Sequence, residues 1–170
     1  ESLRWAQQQG IASDKACIAG ASYGGYATFA GLMRHPTLYR CGAAWVAVTD
    51  LMLLAQGSAW VDTDIGVLSR TEILSKRLGD PVADAAMLRA TSPVENADKI
   101  KAPVLLSMGM ADRRVPIAHG NRMRDAMAKA GNPLEYVTYA EEGHSYLKTE
   151  NLVDWATRME KFLAKHLGQP

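Results

Sequence analysis

The stretch Gly20-Ala21-Ser22-Tyr23-Gly24-Gly25 constrains this chain more than any other, because it follows directly on the apolar run Ala16-Cys17-Ile18-Ala19. The spacing is G-x-S-x-G with a further glycine behind it. A serine on such a strand-to-helix turn sits in a strained backbone conformation, and small residues two positions to either side let neighbouring backbone pass close by. Its hydroxyl then stands exposed above the sheet. The helix that follows, read over residues 24–34, aims its first N–H groups at any oxyanion formed at Ser22. Glycine and serine are also common in plain turns. The buried strand before the motif and the helix behind it are what mark Ser22 as a nucleophile.

Around this turn the pattern alternates between strands and helices. Residues 1–9 read as a helix stopped at Gly10, and residues 15–19 as the first strand. His35-Pro36 ends the helix behind Ser22, since proline cannot continue a helix and disfavours it one residue earlier. The run 41–48 is short and continuously apolar, as expected of a strand covered on both faces. Residues 49–78 read as short helices and loops around Trp60, and Asp84 reads as the cap of a helix over 85–89. A third strand, Val104-Leu105-Leu106-Ser107-Met108, follows Pro103. A helix spans 117–130, with Met123, Ala126, Met127 and Ala130 at helical spacing. Residues 134–140 make a fourth strand. The last helix carries an apolar face of Leu152, Trp155, Ala156, Met159, Phe162, Leu163 and Leu167. Strands alternating with helices predict an α/β fold, a parallel sheet with helices on both faces.

Composition narrows the function. The chain has 170 residues, 48% hydrophobic, enough for one domain with a real core. A net charge of +1 with scattered basic residues gives no footprint for nucleic acid or an anionic membrane surface. No apolar run approaches the length of a membrane span. Cys17 and Cys41 both lie in apolar strand-like runs and read as reduced, buried thiols. A disulfide between neighbouring strands is possible but has no support in the sequence, so the redox compartment stays open, and the reading leans towards the cytoplasm.

A serine hydroxyl is a poor nucleophile until a histidine takes its proton and an acid orients that histidine. On a strand–turn–helix nucleophile the partners follow in the order acid, then histidine. Of the four histidines, His35 precedes every plausible acid, His119 falls inside a helix, and His166 lies near the end of the last helix, where it suits the dipole. His144, in the loop Glu142-Gly143-His144-Ser145 beyond the fourth strand, can reach back over the carboxyl edge of the sheet. Two acids compete. Asp112 lies in Gly109-Met110-Ala111-Asp112-Arg113-Arg114-Val115-Pro116 after the third strand, and Asp50 follows the second. Helix capping would explain either. Asp112 is preferred because the glycine and proline around it fix a tight loop between a buried strand and a helix. This chemistry calls for no metal and no cofactor.

Taken together, the Ser22 motif through Tyr26, the Asp112-Arg113-Arg114-Val115-Pro116 loop and Glu142-Gly143-His144-Ser145-Tyr146 resemble the catalytic domain of the prolyl oligopeptidase family. Leu78-Gly79-Asp80-Pro81, Thr91-Ser92-Pro93 and Ile100-Lys101-Ala102-Pro103 are also similar to that family, above all to its acylaminoacyl-peptidase and dipeptidyl-peptidase-like branches. The resemblance covers nearly the whole chain. It implies an α/β-hydrolase fold and a serine peptidase that cleaves short peptides or acyl-peptides, usually roofed by a β-propeller. Carried over by position, Ser22 is the nucleophile, Asp112 the orienting acid and His144 the general base. The Tyr23 backbone N–H is one oxyanion donor. Tyr23, Val48, Leu51 and Val115 line the pocket for the side chain before the scissile bond, although ordinary packing explains Val48 and Leu51 equally well. Arg113 and Arg114 read as solvated loop residues.

Family members carry further strands ahead of the point that matches Glu1, together with the second oxyanion donor. Residues 1–170 are therefore expected to be the C-terminal half of a hydrolase sheet, without its N-terminal strands or any propeller. The open edge of the strand at 15–19 should be covered by the upstream half or by a second copy of the chain. An esterase or lipase remains the near alternative. An inactive structural or interaction module is the distant one.

Overall fold

The computed structural model describes residues 2–57 and 75–168. After a first helix, α1 (Ser2–Gln8), the chain enters β1 (Cys17–Ala21) and turns at Ser22 into α2 (Tyr23–Arg34). Strand β2 (Cys41–Trp45) follows, then α3 (Leu51–Ala55), α4 (Ser75–Leu78), α5 (Ala85–Thr91) and a 3-10 segment, Pro93–Lys99. The chain continues through β3 (Val104–Gly109), α6 (Ala118–Lys129), β4 (Glu135–Tyr139) and α7 (Thr149–Leu167).

The strands form one sheet in the order β1-β2-β3-β4, every neighbouring pair parallel. Parallel neighbours need a crossover, and helices supply it: α2 between β1 and β2, α6 between β3 and β4. Side chains that alternate along β3 then enter two different cores. Val104, Leu106 and Met108 pack with Phe29 and Leu32 of α2 and Met123 and Met127 of α6. Leu105 points to the other face and packs with Trp155 and Phe162 of α7. Full burial of a side chain such as Phe162 stabilises by about 1.5–3 kcal/mol, so α7 is held chiefly by these two anchors. Among the described residues β1 pairs only with β2. All four carboxyl ends, and hence the loops that bear Ser22, Asp112 and His144, gather along one edge of the sheet.

Several local expectations needed correction. Strand β1 begins two residues later than 15 and runs to Ala21, because Gly20 and Ala21 still pair with Ala44 and Trp45. The run 41–48 leaves the sheet after Trp45. Val46 takes φ 45°, a costly region for a β-branched residue, while its N–H bonds Ser107 O at 2.9 Å. The thiols are not free: Cys17 and Cys41 are register partners with Cα atoms 4.7 Å apart, and they form a disulfide. Asp84 stands at the N-cap of α5 as expected, but its carboxylate makes no capping bond and accepts the Asp80 N–H at 2.8 Å instead. On α7 only Trp155 and Phe162 are buried, and Leu152 is 46% exposed. Trp60 and its neighbours at 58–74 lie outside the described residues.

Candidate active site

Ser22 stands between β1 and α2 at φ 57° and ψ −119°. This left-handed backbone is unfavourable for an L-residue and survives only where its surroundings hold it. Three hydrogen bonds do so: Ser22 N–H to Trp45 O at 3.0 Å, and Ser22 O from Tyr26 N–H at 3.1 Å and Val48 N–H at 3.4 Å. The flanking glycines are required by contact. A Cβ on Gly20 would lie 2.4 Å from Gly24 O, and one on Gly25 would lie 2.4 Å from the Ala47 Cβ. Tyr23 opens α2, so its N–H has no acceptor within the helix and points out at the helix N-terminus beside Ser22.

His144 reaches this turn from the loop after β4. Its Nε2 lies 2.9 Å from Ser22 Oγ and its Nδ1 lies 2.8 Å from Asp112 Oδ2. A carboxylate only accepts, so Nδ1 carries the proton and Nε2 is left to accept from the serine hydroxyl. Asp112 is buried, and its other oxygen, Oδ1, accepts the N–H groups of Arg114 at 2.8 Å and Val115 at 3.0 Å. Its own loop thus fixes the carboxylate in the orientation that meets His144. The arrangement can move a proton from a serine hydroxyl to an imidazole whose charge a carboxylate then stabilises.

The other candidates fall elsewhere. Asp50 caps α3 through Oδ1 to Leu53 N–H at 3.0 Å, and its Oδ2 meets Arg122 Nη1 at 2.6 Å. His119 is 1% exposed, and its Nδ1 faces the N–H groups of Thr49 and Asp50, both at 3.3 Å. Burial pushes its pKa down to about 4, with Arg122 adding to the shift and Asp50 and Asp112 opposing it. His35 caps the end of α2, and His166 packs edge-on against Phe162. Val48, Leu51 and Val115 all belong to the buried core on the α2–α6 face. Of the four residues expected to line a pocket only Tyr23 is open, 67% exposed beside Tyr26. Arg113 and Arg114 are exposed.

Two supports of the His144 loop escaped the sequence reading. Tyr146 shares a buried hydrogen bond of 2.6 Å with Ser107 on β3. Glu142 is 2% exposed, and its carboxylate accepts from Leu147, Lys148 and Asn151. A glutamate after an edge strand ordinarily reads as solvated. The adjacent Gly143-His144 was the one available signal.

Residues 2–170 match the family description "Prolyl oligopeptidase family". The chain is 36% identical over 173 residues to dipeptidyl aminopeptidase BIII of Pseudoxanthomonas mexicana, covering 99% of this chain and 24% of that protein. It is 29% identical over 174 residues to dipeptidyl peptidase family member 6 of Caenorhabditis elegans, covering 99% and 23%. Among solved structures, a puromycin-hydrolyzing peptidase of Mycobacterium tuberculosis superposes with a TM-score of 0.86 at 24% identity, over 99% of this chain and 24% of that one. That likeness identifies the fold as that of the α/β-hydrolases. The chain spans about a quarter of the length of the relatives it matches.

Proposed function

The chain belongs to the prolyl oligopeptidase family, and on that premise we propose that it carries the catalytic residues of a serine peptidase. The observation that carries the reading is the single imidazole of His144 lying between Ser22 Oγ and Asp112 Oδ2. His144 Nε2 takes the hydroxyl proton as Ser22 Oγ bonds to the scissile carbonyl carbon, and Asp112 steadies the imidazolium that results. The carbonyl oxygen becomes an oxyanion and draws on the Tyr23 N–H at the start of α2. Collapse of the tetrahedral intermediate breaks the C–N bond, and His144 returns its proton to the leaving amine. Water, deprotonated by the same imidazole, then attacks the acyl carbon; the C–Oγ bond breaks, His144 returns the proton to Ser22 Oγ, and the acid leaves.

The substrate follows from the relatives and from the site together. Relatives named for releasing dipeptides or acylamino acids support a short peptide or acyl-peptide. The side chain before the scissile bond would lie against Tyr23, while Val48, Leu51 and Val115 are packed in the core. We read residues 1–170 as the C-terminal part of a catalytic domain, with further strands pairing along the open edge of β1 and contributing the second oxyanion donor.

The test compares hydrolysis of aminoacyl or peptidyl arylamides with that of short acyl esters by the complete protein. Cleavage of arylamides with an apolar residue before the bond is expected. Brisk ester hydrolysis with no arylamide turnover would make the protein an esterase.

A further inference from the structure

Glu142 offers a role that neither its position in the sequence nor the three reacting residues explain. Its carboxylate is buried and accepts three hydrogen bonds: from Leu147 N–H at 2.8 Å, Lys148 N–H at 3.0 Å and Asn151 Nδ2 at 2.8 Å. Every partner is a donor, so only an acceptor with two oxygens fits. The bond from Asn151, seconded by the two backbone N–H groups, outweighs burial and holds the carboxyl below its ordinary range. These contacts close the loop 143–148 into a ring that starts and ends on Glu142, and His144 lies inside it.

The backbone of the same residue reaches the other side of the site. Glu142 O accepts the Ala111 N–H at 2.9 Å, one residue before Asp112. The two loops touch so closely that a Cβ on Gly109 would lie 2.4 Å from both Glu142 O and Gly143 O. One residue therefore ties the loop that carries the base to the loop that carries the acid.

We propose that Glu142 is a positioning residue for His144, setting the imidazole against Asp112 and Ser22 through the carboxylate ring and the link to Ala111. This rests on the reading of His144 as the general base. A misplacement of about 1 Å at a reacting group costs on the order of 10²-fold in rate. Glu142→Gln keeps the size but turns an N–H₂ donor towards a backbone N–H. It should lower kcat by roughly 10–100-fold with KM within about twofold of wild type. A residue that only capped α7 would lower the unfolding midpoint and leave kcat of the folded enzyme alone.

The experiment measures kcat, KM and the far-downfield proton signal of the His144–Asp112 hydrogen bond in the complete protein and its Glu142→Gln variant. The expected result is a loss confined to kcat, with that signal shifted or lost. Unchanged kcat, or an unchanged downfield signal, overturns the proposal. Asn151→Ala removes one of the three bonds and serves if Glu142→Gln does not fold. It should show a several-fold loss of kcat at constant KM, and wild-type kcat with an intact signal would again overturn the role. Wild-type protein that shows no turnover and no reaction of Ser22 with a fluorophosphonate would instead refute the assignment of the base.

Discussion

Arg122 Nη1 holds Asp50 Oδ2 at 2.6 Å while Asp50 Oδ1 caps α3, so both oxygens of this carboxylate are engaged in structure. His144 Nδ1 meets Asp112 instead. The two aspartates that compete in the sequence therefore predict different phenotypes. Asp112→Asn should lower kcat about 10⁴-fold with little change in stability, because the amide favours the wrong imidazole tautomer. Asp50→Ala should keep most of the activity and cost about 0.5–2 kcal/mol through the lost cap on Leu53 N–H. Steady-state kinetics and denaturant unfolding of both variants check this, and an exchange of the two phenotypes would reassign the acid.

The Ser107–Tyr146 pair predicts a non-additive cycle. Tyr146→Phe leaves the fully buried Ser107 hydroxyl without its tyrosine partner, a cost of about 1–3 kcal/mol. Removing both hydroxyls in Ser107→Ala/Tyr146→Phe should recover much of that loss. Urea unfolding of the two single variants and the double variant measures the coupling. Strictly additive losses would mean the bond contributes nothing.

Stability should also fall with acid, and His119 sets the window. Its folded pKa is pushed down to about 4, whereas the unfolded residue titrates near the ordinary value of about 6.5. Between these values the unfolded chain binds a proton that the folded chain does not. The stabilisation is thus complete above about pH 6.5 and shrinks as pH falls towards 4, by up to roughly 3 kcal/mol. His119→Asn can place an oxygen near the Nδ1 position that faces Thr49 and Asp50 N–H, and it does not titrate. Unfolding midpoints between pH 7.5 and 4.5 should be flatter for this variant than for wild type. An equally steep decline in both would remove His119 as the cause.

Most of the sheet was legible because hydrophobic runs and turn residues mark strand existence well. The third strand and α6 lie within a residue or so of their expected limits. The edges of β1 and β2 were not legible, because Gly20, Ala21 and Trp45 carry no signal that distinguishes pairing from turning. Nothing in a run such as Trp45-Val46-Ala47-Val48 announces a β-branched residue at φ 45°. The disulfide depends on register, which opposes Cys17 to Cys41 only once β1 and β2 are paired. Ser22, Asp112 and His144 could be singled out as candidates because each sits in a loop with a local glycine signature, and the fold brings their side chains together. The carboxylate of Glu142 could not, since its partners lie five to nine residues away on a loop whose closure appears only in three dimensions.

Activation of Ser22 by His144 is open to active-site labelling. The complete protein is treated with a fluorophosphonate and the modified residue is located by mass spectrometry, in wild type and in His144→Ala. Stoichiometric modification of Ser22 is expected in wild type, with nearly all labelling lost in the variant. Unlabelled Ser22 in folded wild-type protein, or labelling that proceeds equally well without His144, would contradict it.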